Sequence, residues 1–232
     1  FPADFVDKYE SIVNLTPRKQ LITINMPLFA ETSEVSIGLA EGCLLEEAPD
    51  YSRMTPIVYY GSSITQGGCA SRPGNCYQNI ISRKLDCDHV NLGFSSGALA
   101  EDVMVDYMAG LPMSVFVMDY DHNAPTPEYL EATHERLYRR FREKQPHTPI
   151  VMVTMPKVFP SEDSRKRKAV IRATYGKALA EGDARVALVD GEEMMALLGS
   201  DGGLVDNTHP NDLGFLCMAR AIGEAVAAFL PR

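Results

Sequence analysis

Ser62 and Ser63 stand between an apolar run, Ile57-Val58-Tyr59-Tyr60, and a turn that continues Ile64-Thr65-Gln66-Gly67. A serine hydroxyl is a poor nucleophile until a base takes its proton and a third group orients that base. Both kinds of partner lie together in Asp206-Asn207-Thr208-His209-Pro210. His209 is the candidate base, and Asp206, on the same turn, is spaced to hold its other ring nitrogen and to stabilise the imidazolium. Such a set attacks acyl carbons, and the oxyanion that develops needs preorganised donors. The backbone N–H groups of Ser63 and Gly93 and the side-chain amide of Asn123 are the candidates. Ser62 and His122 are polar neighbours of these residues and candidates for contact with substrate. Hydroxyls are also ordinary turn residues, and His209-Pro210-Asn211 also fits a helix entry capped by Asn211. The combination of a serine turn with an Asp-x-x-His pair favours the catalytic reading.

These residues need a frame that brings distant segments together. Beyond residue 55, apolar runs alternate with helical stripes. Strands are expected at Ile57–Tyr60, His89–Leu92, Ser114–Met118, Ile150–Thr154 and Val186–Val189. The runs are continuous rather than alternating, as in parallel strands covered on both faces. Between them, Leu130, His134, Leu137 and Phe141 follow a Thr126-Pro127 helix start. Val170, Ile171, Thr174, Ala178 and Leu179 make a second stripe, and Phe215, Ala219, Ile222, Val226 and Phe229 a third. Repeated βα units predict a three-layer α/β/α sandwich around a five-stranded parallel sheet, with flavodoxin-like winding. In such a sheet the loops after the strands share one rim, and Ser63, Gly93, Asn123 and the Asp206–His209 turn all lie in such loops.

The first 50 residues read differently. Leu21–Met26 and Val35–Leu39 alternate like half-exposed strands, which predicts a small N-terminal β appendage over 1–50 and a catalytic domain over 51–232. The net charge of -9 over 232 residues disfavours nucleic acid as partner. No apolar run approaches the ~20 residues that cross a bilayer, so a membrane partner is not expected. The five cysteines show no ligand spacing, so neither a metal nor any other cofactor is expected. Asp119 and Asp121 lack further oxygen ligands in order. Free thiols, including Cys69 and Cys76, fit a reducing compartment, and a cytoplasmic location is the expectation.

Gly61-Ser62-Ser63-Ile64-Thr65, Gly93, Asn123 and Asp206-x-x-His209-Pro210 together resemble the ordered signature of the SGNH, or GDSL-type, hydrolases over about residues 56–230. The resemblance implies that Ser63 rather than Ser62 is the nucleophile, with Ser62 in the place of the usual aspartate. It implies a serine esterase acting on short acyl, acetyl-like esters, with carbohydrate esters among the substrates. The first 55 residues resemble the tail of a β-rich region found in a subgroup similar to carbohydrate acetylesterases. That implies a chain that is part of a longer protein. Two alternatives stay open: an acyltransferase using the same site, and a flavodoxin-like binding module without catalysis.

Overall fold

The computed structural model describes residues 9–231. Within them the chain forms β1 (Arg53–Gly61), α1 (Ser63–Gln66), α2 (Tyr77–Leu85), β2 (Cys87–Gly93), α3 (Asp102–Ala109), β3 (Val115–Asp119) and α4 (Pro127–Lys144). There follow β4 (Ile150–Val153), α5 (Glu162–Ala180), β5 (Val186–Val189), α6 (Gly191–Ala196) and α7 (Asp212–Ala227). Single 3₁₀ turns at Pro73–Asn75 and Asp121–Asn123 interrupt the loops after α1 and β3.

All five strands are parallel, in the order β2-β1-β3-β4-β5. Each expected strand is present, within a few residues of its expected ends. Successive side chains of a strand point to opposite faces, and the core divides accordingly. Ile57, Tyr59, Val117 and Val151 pack with Ile81 of α2, Met195 of α6 and Phe215, Ile222 and Val226 of α7. Val58, Tyr60, Phe116 and Met152 pack with Met108 of α3, Leu137 and Phe141 of α4 and Ile171 of α5. Each such fully buried side chain contributes about 1.5–3 kcal/mol of hydrophobic stabilisation. His134, on the buried stripe of α4, is a core histidine whose Nδ1 lies 2.9 Å from Thr174 Oγ1.

Capping residues start the helices where the sequence suggests. Thr126 Oγ1 accepts from Tyr129 N at 3.2 Å ahead of Pro127, and Asn211 Oδ1 accepts from Leu213 N and Gly214 N at the head of α7. The strand order reverses direction at β1: the chain passes first to β2 on one side, then to β3 on the other. Gly61 therefore pairs with Gly93 and with Asp119, so three strands deliver their carboxyl ends to one place. That is the switch point where open α/β sheets hold ligands.

The expected N-terminal β appendage is corrected in part. Among the described residues before Arg53 no strand forms, and residues 1–8 of the expected segment lie outside the described residues. Leu21, Ile24, Val35 and Ile37 are exposed. Alternation says which face of a strand would be buried; it does not supply the neighbouring backbone that a ladder requires. Between residues 9 and 52 only Asn25 and Leu28 are even partly covered.

Candidate active site

Ser63 is the first residue of α1, a single helical turn held at both ends. Ser62 is its N-cap, with Oγ accepting from Ile64 N at 3.2 Å. Gly67 closes it in the left-handed conformation at φ 105°, and the Gly67 and Gly68 N–H groups both donate to the Ser63 carbonyl. The Thr65 carbonyl, two residues on from Ser63, accepts from Gln78 Nε2 at 2.6 Å and Asn91 Nδ2 at 2.9 Å.

The loop before α7 brings the partners. Val205 N donates to the His209 carbonyl and Asn211 N to the Gly203 carbonyl, closing a tight loop with Asn207 in the left-handed region at φ 60°. Ser63 Oγ lies 2.9 Å from His209 Nε2, and His209 Nδ1 lies 2.8 Å from Asp206 Oδ2. A carboxylate only accepts, so Nδ1 carries the hydrogen and Nε2 is left to accept from the Ser63 hydroxyl. Asp206 Oδ1 also accepts from Thr208 N at 3.0 Å and His209 N at 2.7 Å. The backbone and ring N–H groups of His209 pull the Asp206 carboxyl down to about 2, so it is ionised throughout the neutral range. Lys157, in the loop after β4, donates to the Asn207 carbonyl at 2.6 Å and lies 3.5 Å from Thr208 Oγ1, clamping this turn from outside.

The other expected residues sit at the same rim with differing fates. The Ser63 N–H, at the first position of α1, has no acceptor among the described residues. Asn123 Nδ2 donates one hydrogen to the Phe94 carbonyl at 2.7 Å and keeps a second. The Gly93 N–H donates to Asn91 Oδ1 at 2.9 Å in this structure. What the position requires is the missing side chain, because a Cβ there would stand 2.1 Å from Gln66 N and 2.5 Å from Gln66 Cα. His122 is next to Asn123 with its Nε2 buried and unpartnered. Burial, and then the positive charge of Lys157, push its imidazole down to about 3, so it stays neutral.

Asp119 and Asp121, weighed above as oxygen ligands, serve the interior. Thr65 Oγ1 and the Tyr77 hydroxyl each donate to Asp119 Oδ2 at 3.0 Å, tying the Ser63 turn to the end of β3. Asp121 Oδ2 accepts from Met155 N at 2.9 Å, and Arg167 donates to the Asp121 and Ala124 carbonyls. Among the described residues no cluster of His, Cys, Asp and Glu could hold a metal ion, and all five cysteines are free thiols. Burial, and then the neighbouring Asp121, push Asp119 up to about 8, and burial pushes Asp121 up to about 7. Carboxyls raised in the fold bind protons that the unfolded chain has released above about pH 4. Stability from these two groups is therefore greatest at acid pH and is lost as pH rises towards 7–8, by up to about 1.4 kcal/mol per pH unit for each. Asp119→Asn keeps an acceptor for Thr65 and Tyr77 without an ionisable proton. It is expected to flatten the fall in urea-unfolding stability between about pH 5 and 8. An unchanged slope would place the pH dependence elsewhere.

Sequence reasoning placed the loop of Lys157 as a basic wall of the site but missed its contact with the His209 turn, and it missed the fixing of α1 by Thr65, Gln78 and Asn91. No motif marks a lysine in a loop or an asparagine within a strand, and only the tertiary approach gives them roles.

The family model described as the GDSL-like Lipase/Acylhydrolase family matches residues 54–227. Among solved structures, one described as a GDSL-like lipase from Bacteroides ovatus superposes with a TM-score of 0.69 at 28% identity, over 78% of this chain and 55% of that one. A salicylyl-acyltransferase from a tetracycline biosynthetic pathway gives a TM-score of 0.64 at 20% identity, over 78% of this chain and 57% of that one. A family two carbohydrate esterase from Clostridium thermocellum, in complex with cellohexaose, gives 0.61 at 16% identity, over 82% of this chain and 69% of that one. The chain thus spans little more than half the length of the first two. No curated protein matches it in sequence.

Proposed function

The chain belongs to the GDSL-like lipase/acylhydrolase family, and on that premise we propose that it is a serine esterase whose nucleophile is Ser63. The observation that carries the reading is the unbroken line Ser63 Oγ, His209 Nε2, His209 Nδ1, Asp206 Oδ2, with links of 2.9 and 2.8 Å. Ser63 Oγ attacks the ester carbonyl carbon while His209 Nε2 takes its proton. The tetrahedral oxyanion accepts hydrogen bonds from the Ser63 N–H and the free hydrogen of Asn123 Nδ2. Each such donor typically contributes about 2.7–4 kcal/mol to the transition state. Collapse breaks the ester C–O bond, and the departing alcohol takes the proton from His209. Water then attacks the acyl-enzyme with His209 as base, releasing the acid and restoring Ser63. Water is the one co-reactant, so the steps balance without a cofactor.

Ser62 acts through the cap that fixes the nucleophile turn, and His122 keeps a neutral imidazole beside Asn123. Residues 51–232 form the catalytic domain in this reading. Short acyl esters, including those of carbohydrates, are the proposed substrate class, in keeping with the carbohydrate esterases of the same fold. A fluorophosphonate probe should phosphonylate the protein once, on the peptide carrying Ser63, and abolish hydrolysis of p-nitrophenyl acetate. A protein that neither reacts with the probe nor hydrolyses the ester would be a binding module instead.

A further inference from the structure

Among the described residues, the segment before the sheet approaches the site at Asn25 to Phe29. Asn25 lies against Gly74, where a Cβ would stand 3.0 Å from Asn25 Nδ2. Leu28 covers Gly67, and its carbonyl accepts from Gln66 Nε2 at 3.0 Å. Gln66 reaches across to the β2–α3 loop as well, its Oε1 accepting from Ser95 N at 3.0 Å. Asn25 to Leu28 is thus a strap laid over the turn that carries the nucleophile, and it sets down Phe29 at the rim. The point where a side chain of Gly68 would begin is 3.5 Å from Phe29 Cζ, 3.6 Å from His209 Cδ2 and 3.0 Å from the Ser63 carbonyl oxygen. The absent side chain leaves a space with the phenyl ring on one side and the imidazole edge on the other.

His209 Cδ2 is bonded to Nε2, the atom that must hand its proton to the departing alcohol. A group beside Cδ2 therefore flanks the alcohol half of the ester rather than the acyl half. Phe29 is 44% exposed, with much of its ring uncovered by the protein. A flat apolar surface of that kind gains most from a partner that is also a ring.

We propose that Phe29, delivered by the Asn25–Leu28 strap, forms an alcohol-side subsite that selects esters of ring-bearing alcohols over esters of small aliphatic ones. The subsite rests on the esterase reading above, and Phe29 lies outside the residues 54–227 that the family model matches. By reversibility, any alcohol accepting the acyl group in place of water would enter over the same ring.

The test keeps the acyl group constant and varies the alcohol. For benzyl acetate and methyl acetate, kcat/KM reports acylation, the step in which the alcohol is still present. Phe29→Ala should lower the benzyl-to-methyl ratio of kcat/KM about three- to tenfold, the range expected for one ring contact. Phe29→Leu, which keeps apolar bulk but not the flat face, should also lower it, and Phe29→Tyr should preserve it. The ratio of benzyl butyrate to benzyl acetate should stay as in the wild type. An unmoved benzyl-to-methyl ratio in both Ala and Leu variants overturns the proposal, as does a shift in the butyrate ratio, which would put Phe29 on the acyl side. A variant that lost its fold would lower all esters alike, and the Leu variant then decides. Failure of the esterase reading shows separately, as a wild-type protein that takes up no fluorophosphonate and cleaves neither ester.

Discussion

Ser63→Ala is expected to lower kcat/KM for p-nitrophenyl acetate by about 10⁴- to 10⁶-fold, with little change in thermal stability. The size follows from the route: without the hydroxyl no acyl-enzyme can form, and only water attack aided by the remaining donors is left. The small structural cost follows from how α1 is held. Its N-cap is Ser62, its closing residue is Gly67, and Thr65 ties it to Asp119. The Ser63 side chain has one partner, His209 Nε2, and in the proposed mechanism that contact serves the chemistry rather than the fold. Alanine at the first position of a helix is well tolerated. Steady-state turnover together with a thermal melt separates the two effects. Multiple-turnover activity within about tenfold of wild type would remove Ser63 from the mechanism.

Asp206→Asn is expected to cost about 10²- to 10⁴-fold in kcat. The replacement is nearly isosteric, and Asn Oδ1 can still accept from the Thr208 and His209 N–H groups. Its amide nitrogen, however, would face His209 Nδ1 as a donor. The imidazole must then accept at Nδ1 and carry its hydrogen on Nε2, the nitrogen that has to receive the proton of Ser63. Asp206 is about half exposed (52%), so water can partly solvate a misdirected ring, and this argues for the lower part of the range. A kcat within threefold of wild type, with the fold intact, would mean that the turn alone orients His209. Lys157 and the Leu204–Pro210 bridge would then carry that task.

The five strands were legible because each is a continuous apolar run bounded by turn residues, and parallel burial on both faces leaves that trace. Ser63, Asp206 and His209 were legible because acyl chemistry restricts residue type and Asp-x-x-His restricts spacing; the structure brings the three together. Gly93 was legible as a residue of the site rim, but not the second demand on it. A glycine after a strand invites a reading as a donor, yet here its N–H is occupied by Asn91 and its backbone presses on Gln66. The N-terminal strands failed because a pattern on one segment cannot show whether a partner segment exists. Phe29 left no trace, and the loop of Lys157 suggested a basic wall of the site rather than a clamp on the His209 turn. A phenylalanine in an irregular segment and a lysine in a loop acquire meaning only from what approaches them in three dimensions.

The link from Ser63 to His209 spans 146 residues of chain, and the turn that carries His209 adds no strand to the sheet. Closing so long a loop costs conformational entropy that a single hydrogen bond cannot offset. The link therefore forms only because α7 docks its apolar face on the sheet and carries the preceding turn into place. A partly folded chain with sheet and early helices in order, but with α7 undocked, would show much of its secondary structure while Ser63 remained an inert alcohol. In the proposed mechanism, reactivity at Ser63 would therefore require α7 to be docked as well as the sheet to be formed, so that a probe of Ser63 would report on the whole domain.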